Sequence, residues 1–182
     1  MINKETLLQD LFLAYYDARK NKRNKQTQLE FEVNLESNLL NLYEELINWK
    51  YNVWKSIYFI QKTPVKREIF AWNFRDRIVH HLIYNYITPI FENEFIYDTY
   101  SCIEWRWTSF WIDRINKAIR SCSDNYSKDS YILKLDISWY FMSINKNILY
   151  KKVEEILFNK KQFLKIDYDF IMNLIKAVIF ND

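Results

Sequence analysis

The sequence predicts an α+β fold in which helices dominate and strands are few. Three observations carry this. Apolar residues recur at three- and four-residue spacing in several segments, two short β-prone runs flank a turn at Lys62-Thr63-Pro64-Val65-Lys66, and Tyr131 to Ile137 alternates with bulky apolar residues. Helices, a hairpin, helices, a strand and more helices, in that order, make an α+β chain.

The length of 182 residues suits one large domain or two small ones, with ample material for a core. Apolar content of 49% and charged content of 27% are ordinary globular values. A net charge of +3 rules out a polycation, so any nucleic-acid contact has to come from local basic clusters. The two cysteines, Cys102 and Cys122, suit neither a zinc motif nor a disulfide framework, so a reduced, cytoplasmic protein is the expectation. Met1-Ile2-Asn3-Lys4-Glu5 lacks the apolar core of a signal peptide, and no apolar run reaches membrane-spanning length, so no membrane partner is expected.

Taken in order, Leu7, Leu8, Leu11, Phe12 and Tyr15 mark a helix over 5–18. It leads into Arg19-Lys20-Asn21-Lys22-Arg23-Asn24-Lys25, five basic residues in seven with no acid among them. Such a run reads as a solvated loop or as a set of phosphate contacts, with Lys22 and Arg23 at its centre. Leu35, Leu39, Leu42 and Leu46 place a second helix over 28–47. Runs 56–61 and 67–71 form the two arms of the predicted hairpin. A helix follows over 75–86, with Pro89 marking its end or a kink. Another runs over 108–121, with Thr108 or Ser109 as its cap. Residues 123–129 form a polar loop into the predicted strand 131–137. Asn145 caps a helix to about 157, and a last helix spans 168–180.

Chemistry concentrates at Asp136. A carboxylate among apolar neighbours on a buried strand needs a cation, a metal or a hydrogen-bond network. The surrounding run, Leu135-Asp136-Ile137 followed by Tyr140-Phe141 and Ile144, resembles the first metal-binding motif of the palm of reverse transcriptases. Pro64-Val65-Lys66-Arg67-Glu68-Ile69 resembles the fingers segment of these enzymes that contacts the incoming nucleotide. The run Phe74-Arg75-Asp76-Arg77-Ile78-Val79-His80-His81-Leu82, with Pro89 to Glu92 and Phe95 to Cys102, is similar to the bacterial reverse transcriptases of diversity-generating retroelements. Retron and group II intron enzymes share a looser version.

The resemblance implies the fingers and part of the palm of a right-hand polymerase, mostly helical, with a β-hairpin and a central palm strand. It divides the chain into an N-terminal helical segment (1–50), fingers (51–125) and the start of a palm (126–182). The implied activity is RNA-directed DNA synthesis from deoxynucleoside triphosphates on an RNA template and primer. A small basic accessory variability protein is a further implied partner. Two Mg²⁺ ions, or Mn²⁺ in their place, are the implied cofactors, because such transfer uses two metals held by carboxylates and phosphate oxygens. Asp136 and the Ile137 carbonyl would hold metal. Arg67, Lys66 and Tyr140 would contact nucleotide, with Lys62 a weaker candidate, and Phe141 would stand as a steric gate against a ribose 2′-hydroxyl. Arg75 and Arg77 would line the template path. His80 and His81, about 100° apart on a helix, cannot converge on one ion and read as packing and polar-surface residues.

Two departures matter. After Cys102 the family has Arg-x-Gly-Lys-Gly-Thr, where this chain has Ile103-Glu104-Trp105-Arg106-Trp107-Thr108, keeping Arg106 and Thr108 as nucleic-acid contacts. The family's Tyr-x-Asp-Asp metal motif does not occur before Asp182, so the sequence reads as a portion of the enzyme that is inactive alone. A retron-like or defence reverse transcriptase, or a non-catalytic RNA-binding module of the same fold, are the alternative readings.

The composition holds one anomaly. There is no glycine where average usage of about 7% predicts about a dozen, and there are seven tryptophans. Trp105, Trp107 and Trp139 stand where the family has glycine, and Trp49, Trp54, Trp72 and Trp111 where it has or tolerates it. One systematic cause, UGA codons read as tryptophan where the cell reads glycine, would explain all seven together, and genuine tryptophans in a diverged gene are the alternative reading.

Overall fold

A computed structural model describes residues 4–20, 25–64, 66–138 and 140–181. The side chain of Phe141, the predicted gate, lies outside the described residues, as do Lys22, Arg23 and Trp139. The elements are α1 (Lys4–Arg19), α2 (Gln26–Val33), α3 (Leu35–Ile47), β1 (Ile57–Gln61), β2 (Arg67–Ala71), α4 (Phe74–Phe91), α5 (Thr108–Cys122), α6 (Tyr140–Ser143), α7 (Lys146–Asn159) and α8 (Tyr168–Ile179). The chain is therefore α+β: mostly helical, with one two-stranded antiparallel sheet. Among the described residues no helix is long and apolar enough to cross a membrane. Contacts divide the chain into two compact units, Met1–Ile90 with Asn145–Asp182, and Phe91–Ile144.

The first unit holds the core. Leu7, Leu11, Ala14 and Ala18 of α1 are buried with Leu39, Leu42 and Leu46 of α3. From α4 come Phe74, Ile78, Leu82, Tyr86 and Ile90, and from α8 Phe170, Ile171 and Ile175. In α1, α3 and α4 the set repeats every three or four residues, and in α8 Phe170 precedes Leu174, and Ile171 precedes Ile175, by four, so each helix presents one apolar stripe. Polar ties fix the helices against each other: Tyr86 donates to Asp10 at 2.6 Å and Arg19 to Glu32 at 2.6 Å.

The predicted helix over 28–47 is two helices. Asn34 leaves helical geometry at φ −126°, ψ 49°, ending α2 and opening α3. Asparagine competes with the helical ladder through its own short polar side chain. Asn38 then donates to the Phe31 carbonyl at 2.8 Å, satisfying one orphan acceptor at the end of α2. α4 runs past the predicted end to Phe91 with Pro89 inside it, because buried Ile90 extends the stripe of Ile83 and Tyr86. Asn145 caps α7 as expected, accepting from the amides of Asn147 and Ile148 at 3.0 and 3.1 Å. The cap of α5 is Trp107, with no side-chain bond, in place of Thr108 or Ser109.

The hairpin forms as predicted, with Ile57 opposite Ala71, Phe59 opposite Ile69 and Gln61 opposite Arg67. The central palm strand does not form. Residues 131–137 are neither strand nor helix, and they are exposed, Leu133 to 81%. A strand needs a neighbour to complete its ladder. Among the described residues β1 and β2 pair with each other, and nothing pairs with this stretch.

The base of the hairpin is tied to the helices by a buried ion pair. Asp76, 0% exposed, accepts from Arg75 at 2.9 Å, from the Tyr51 hydroxyl at 2.9 Å and from the Trp54 backbone amide at 3.0 Å. Arg75 also pairs with Glu45 of α3, donates to the Asn52 carbonyl at 3.2 Å and lies 5.0 Å from the Tyr51 ring centroid. Burial, and then the Asp76 charge, push the Tyr51 phenol far above its ordinary pKa, so it stays a donor. Removing one partner strands the other charge in the interior. Asp76→Ala should therefore cost about 3–5 kcal/mol by chemical denaturation, well above the loss for Asp129→Ala in an exposed loop.

Candidate nucleic-acid interface

The hairpin faces the start of α4 across an open cleft of ≈ 580 Å³. Alternation puts Ile57, Phe59, Ile69 and Ala71 on one face of the hairpin, and all four line the cleft. Opposite them stand Phe74, Arg77, His80 and His81 of α4, with Lys25 and Thr27 from the start of α2. Arg77, His80 and His81 lie three and four residues apart, which places them on one helical face. The result is an aromatic and aliphatic wall beside cationic and imidazole groups. Such a pairing stacks planar rings on one side and attracts phosphate on the other.

The two histidines are tuned by this setting. Burial lowers the His80 pKa; Asp76 opposes the shift, while His81 and Arg77 add to it. Burial likewise lowers His81, with Asp17 opposing and Arg77 and Lys20 adding. The Trp72 ring meets His80 edge-on at 5.1 Å between centroids. His80 Nε2 is buried with no hydrogen-bond partner among the described residues. A neutral imidazole there offers a polar atom for a ligand in the cleft.

The predicted site residues divide by surroundings. Arg67, Lys66 and Lys62 are exposed on the hairpin, where a phosphate could reach them. Arg77 is half-buried and lines the cleft. Arg75, 4% exposed, turns inward to Asp76 and Glu45, so its guanidinium braces the fold. In the second unit Arg106 bonds the Tyr97 carbonyl and the Thr99 carbonyl, the latter at 2.6 Å, with its guanidinium 5.1 Å from the Tyr97 ring. It clasps the loop before α5, beside a bidentate Arg114–Asp98 pair with both bonds at 3.0 Å. The Arg114 bonds, then Tyr100, hold the Asp98 carboxyl below its ordinary pKa. Thr108 is exposed at the first turn of α5.

Asp136 is exposed, not buried as the apolar run predicts, because the strand that would bury it has no partner. Ile137 and Tyr140 are exposed in the same unit. Among the described residues no three His, Cys, Asp or Glu side chains gather where a metal could sit. The described residues thus do not assemble a two-metal cage, and Asp136 stands as a single exposed carboxylate.

Sequence reasoning missed the cleft as a unit. Its signals were present: alternate apolar residues on both arms of the hairpin and the i, i+3, i+4 triad of Arg77, His80 and His81. Helical geometry keeps adjacent histidines from converging on one ion, which reads as packing and polar-surface roles and hides the face that each shares with Arg77.

The histidine shifts predict a pH dependence. Both folded pKa values lie below the ordinary 6.5, so between the lowered value and 6.5 the unfolded chain binds more protons. Stability should fall on acidification through that window and level off below it. The melting temperature measured from pH 7.5 to 5 should show this slope, and His80→Gln should flatten it.

The chain matches no family model, and no curated protein matches it.

Proposed function

We propose that this chain is the fingers and first palm portion of an RNA-directed DNA polymerase of the diversity-generating retroelement type. The observation that carries the reading is the hairpin. The motif-bearing run, Arg67-Glu68-Ile69 among it, lies on β2, and the Arg75-Asp76-Arg77 motif opens the helix that follows directly. This order and spacing are what the motif resemblance requires. In this reading the exposed guanidinium of Arg67 meets phosphate oxygens, for which its planar fork is matched. Arg77 and Lys25 hold the nucleic-acid backbone at the cleft while Phe59 offers a ring for stacking. Asp136 supplies one metal ligand, Ile137 its carbonyl, and Mg²⁺ would stabilise charge on the transferring phosphoryl group. The RNA template, primer and deoxynucleotides are the partners, and the reading extends to an accessory variability protein.

A second reading, a nucleic-acid-binding module without catalysis, draws support from one observation. The cleft and its cations belong to a packed unit, whereas Asp136 is solitary and exposed.

The two readings separate in one set of measurements. The protein expressed from the whole gene should extend a DNA primer on an RNA template with Mg²⁺, and Asp136→Asn should abolish extension while leaving RNA binding intact. Binding without extension by the unmodified protein would favour the module. Under either reading, Lys25→Ala and Arg77→Ala should each weaken RNA binding and lower the slope of log K against log salt by about 1. Unchanged salt slopes would remove the cleft from the interface.

A further inference from the structure

Two of the tryptophans occupy left-handed backbone positions that favour glycine, and a third sits at a helix N-cap. The first is Trp49, at φ 58°. It directly follows Asn48, the C-cap of α3. The Trp49 amide donates to the Leu46 carbonyl at 3.3 Å and the Lys50 amide to the Glu45 carbonyl at 2.8 Å. These are the paired bonds of a Schellman motif, whose left-handed residue is usually glycine because a Cβ collides with the neighbouring carbonyl there.

The second is Trp105, at φ 67°. The Arg106 amide donates back to the Ile103 carbonyl at 3.3 Å, making Trp105 the third residue of a β-turn. Positive φ at that residue alone is the signature of a type II turn, which calls for glycine or asparagine. The third is Trp107, the N-cap of α5 at φ −66°, ψ 168°, with no side-chain cap. Glycine is favoured at an N-cap, and a large apolar side chain is not.

The indoles behave as surplus. Trp105 is 75% exposed and Trp49 51%, and none of the described tryptophans belongs to the buried core. Tryptophan is ordinarily among the most buried side chains on average. The other positive-φ residues among those described are Cys102, Asp124, Asn125 and Tyr126, of which Asp124 and Asn125 belong to types that tolerate the region. Trp49, Trp54 and Trp72 do make contacts, edge-on to Phe170 at 5.8 Å, over Arg75 at 4.8 Å and against His80, and Arg75 keeps its ion pairs and the Tyr51 ring without Trp54. Trp111 lies inside α5, where glycine weakens a helix, so local geometry argues for tryptophan at that one position.

From these positions and from the total absence of glycine we infer that residues 49, 54, 72, 105, 107, 111 and 139 are glycine in the protein as its own cell makes it. The cause is a single one: UGA codons decoded there as glycine and rendered as tryptophan in this sequence. The inference stands on backbone geometry at 49 and 105 and on composition at the other positions, and does not depend on the polymerase reading. It changes the surface in definite ways. The loop 103–108 loses two indoles and exposes backbone amides, and the cleft beneath the hairpin loses the Trp72 ring.

The gene is the direct test. UGA at most of the seven positions establishes the inference, and UGG at most of them overturns it. Peptide mass spectrometry of the protein isolated from its own cells gives an independent reading, since glycine at 49 and 105 supports it and tryptophan refutes it. The recombinant chain tests the structural argument. Trp49→Gly should raise the melting temperature by about 2–4 °C, the shift for relief of about 1 kcal/mol in a chain of this size, and Trp49→Ala, which keeps a Cβ, should not. A lower melting temperature for Trp49→Gly than for Trp49→Ala would overturn the assignment of that position as a glycine slot.

Discussion

The first unit depends on the buried contact between Arg75 and Asp76. Asp76 draws three donors from two neighbouring segments, and Arg75 reaches from α4 to Glu45 of α3 and to the Asn52 carbonyl. Neither charge is tolerable alone in the interior, so each holds the other in place. The pair contributes less to net stability than its Coulomb energy suggests, because both ions have left water. Its effect is geometric. It fixes where the chain leaves α3, where it enters the hairpin and where α4 begins.

That constraint separates two residues that look equivalent in the motif. Arg75 and Arg77 are alternate residues near the start of one helix and so point about 200° apart. Arg75 faces the ion-pair cluster, while Arg77 lines the cleft with His80 and His81. A motif of this kind therefore serves two purposes at once: one arginine and the aspartate build the frame, and the other arginine meets whatever the frame presents. The apolar face of the hairpin completes the cleft because its alternation, set by the register of β1 and β2, turns Phe59 and Ile69 to the same side.

The local features of the fold were legible in the sequence, and the non-local ones were not. The hairpin is a contact between near neighbours, and its turn and β-prone arms predict it. The Asn145 cap is likewise a property of a few adjacent residues. The break at Asn34 was hidden because Phe31 lies four residues before Leu35 and so joins the helical spacing of Leu35 to Leu46 across it, and one asparagine outweighs that pattern. The run 131–137 shows the opposite error. Its composition is that of a buried strand, yet a strand is a relation between two segments, and among the described residues the partner is missing. Asp136 inherits that result. Its motif was readable, whereas its exposure was not, since burial depends on what lies alongside.

The second unit exposes much apolar surface, and two separate causes account for it. No apolar residue of this unit is buried among those described, although α5 carries Ile112, Ile115 and Ile119 at helical spacing. Part of the surface is indole at 105, 107 and 111, and an aromatic side chain of this size presents on the order of 150–250 Å². Glycine at those positions would remove that share outright and would relax the backbone at 105. It would leave Leu133, Leu135 and Ile137 as they are. Their exposure follows from an unpaired backbone, and no change of side chain cures that. The two causes answer to different remedies: recoding restores the loops, and only a neighbouring strand restores the segment around Asp136.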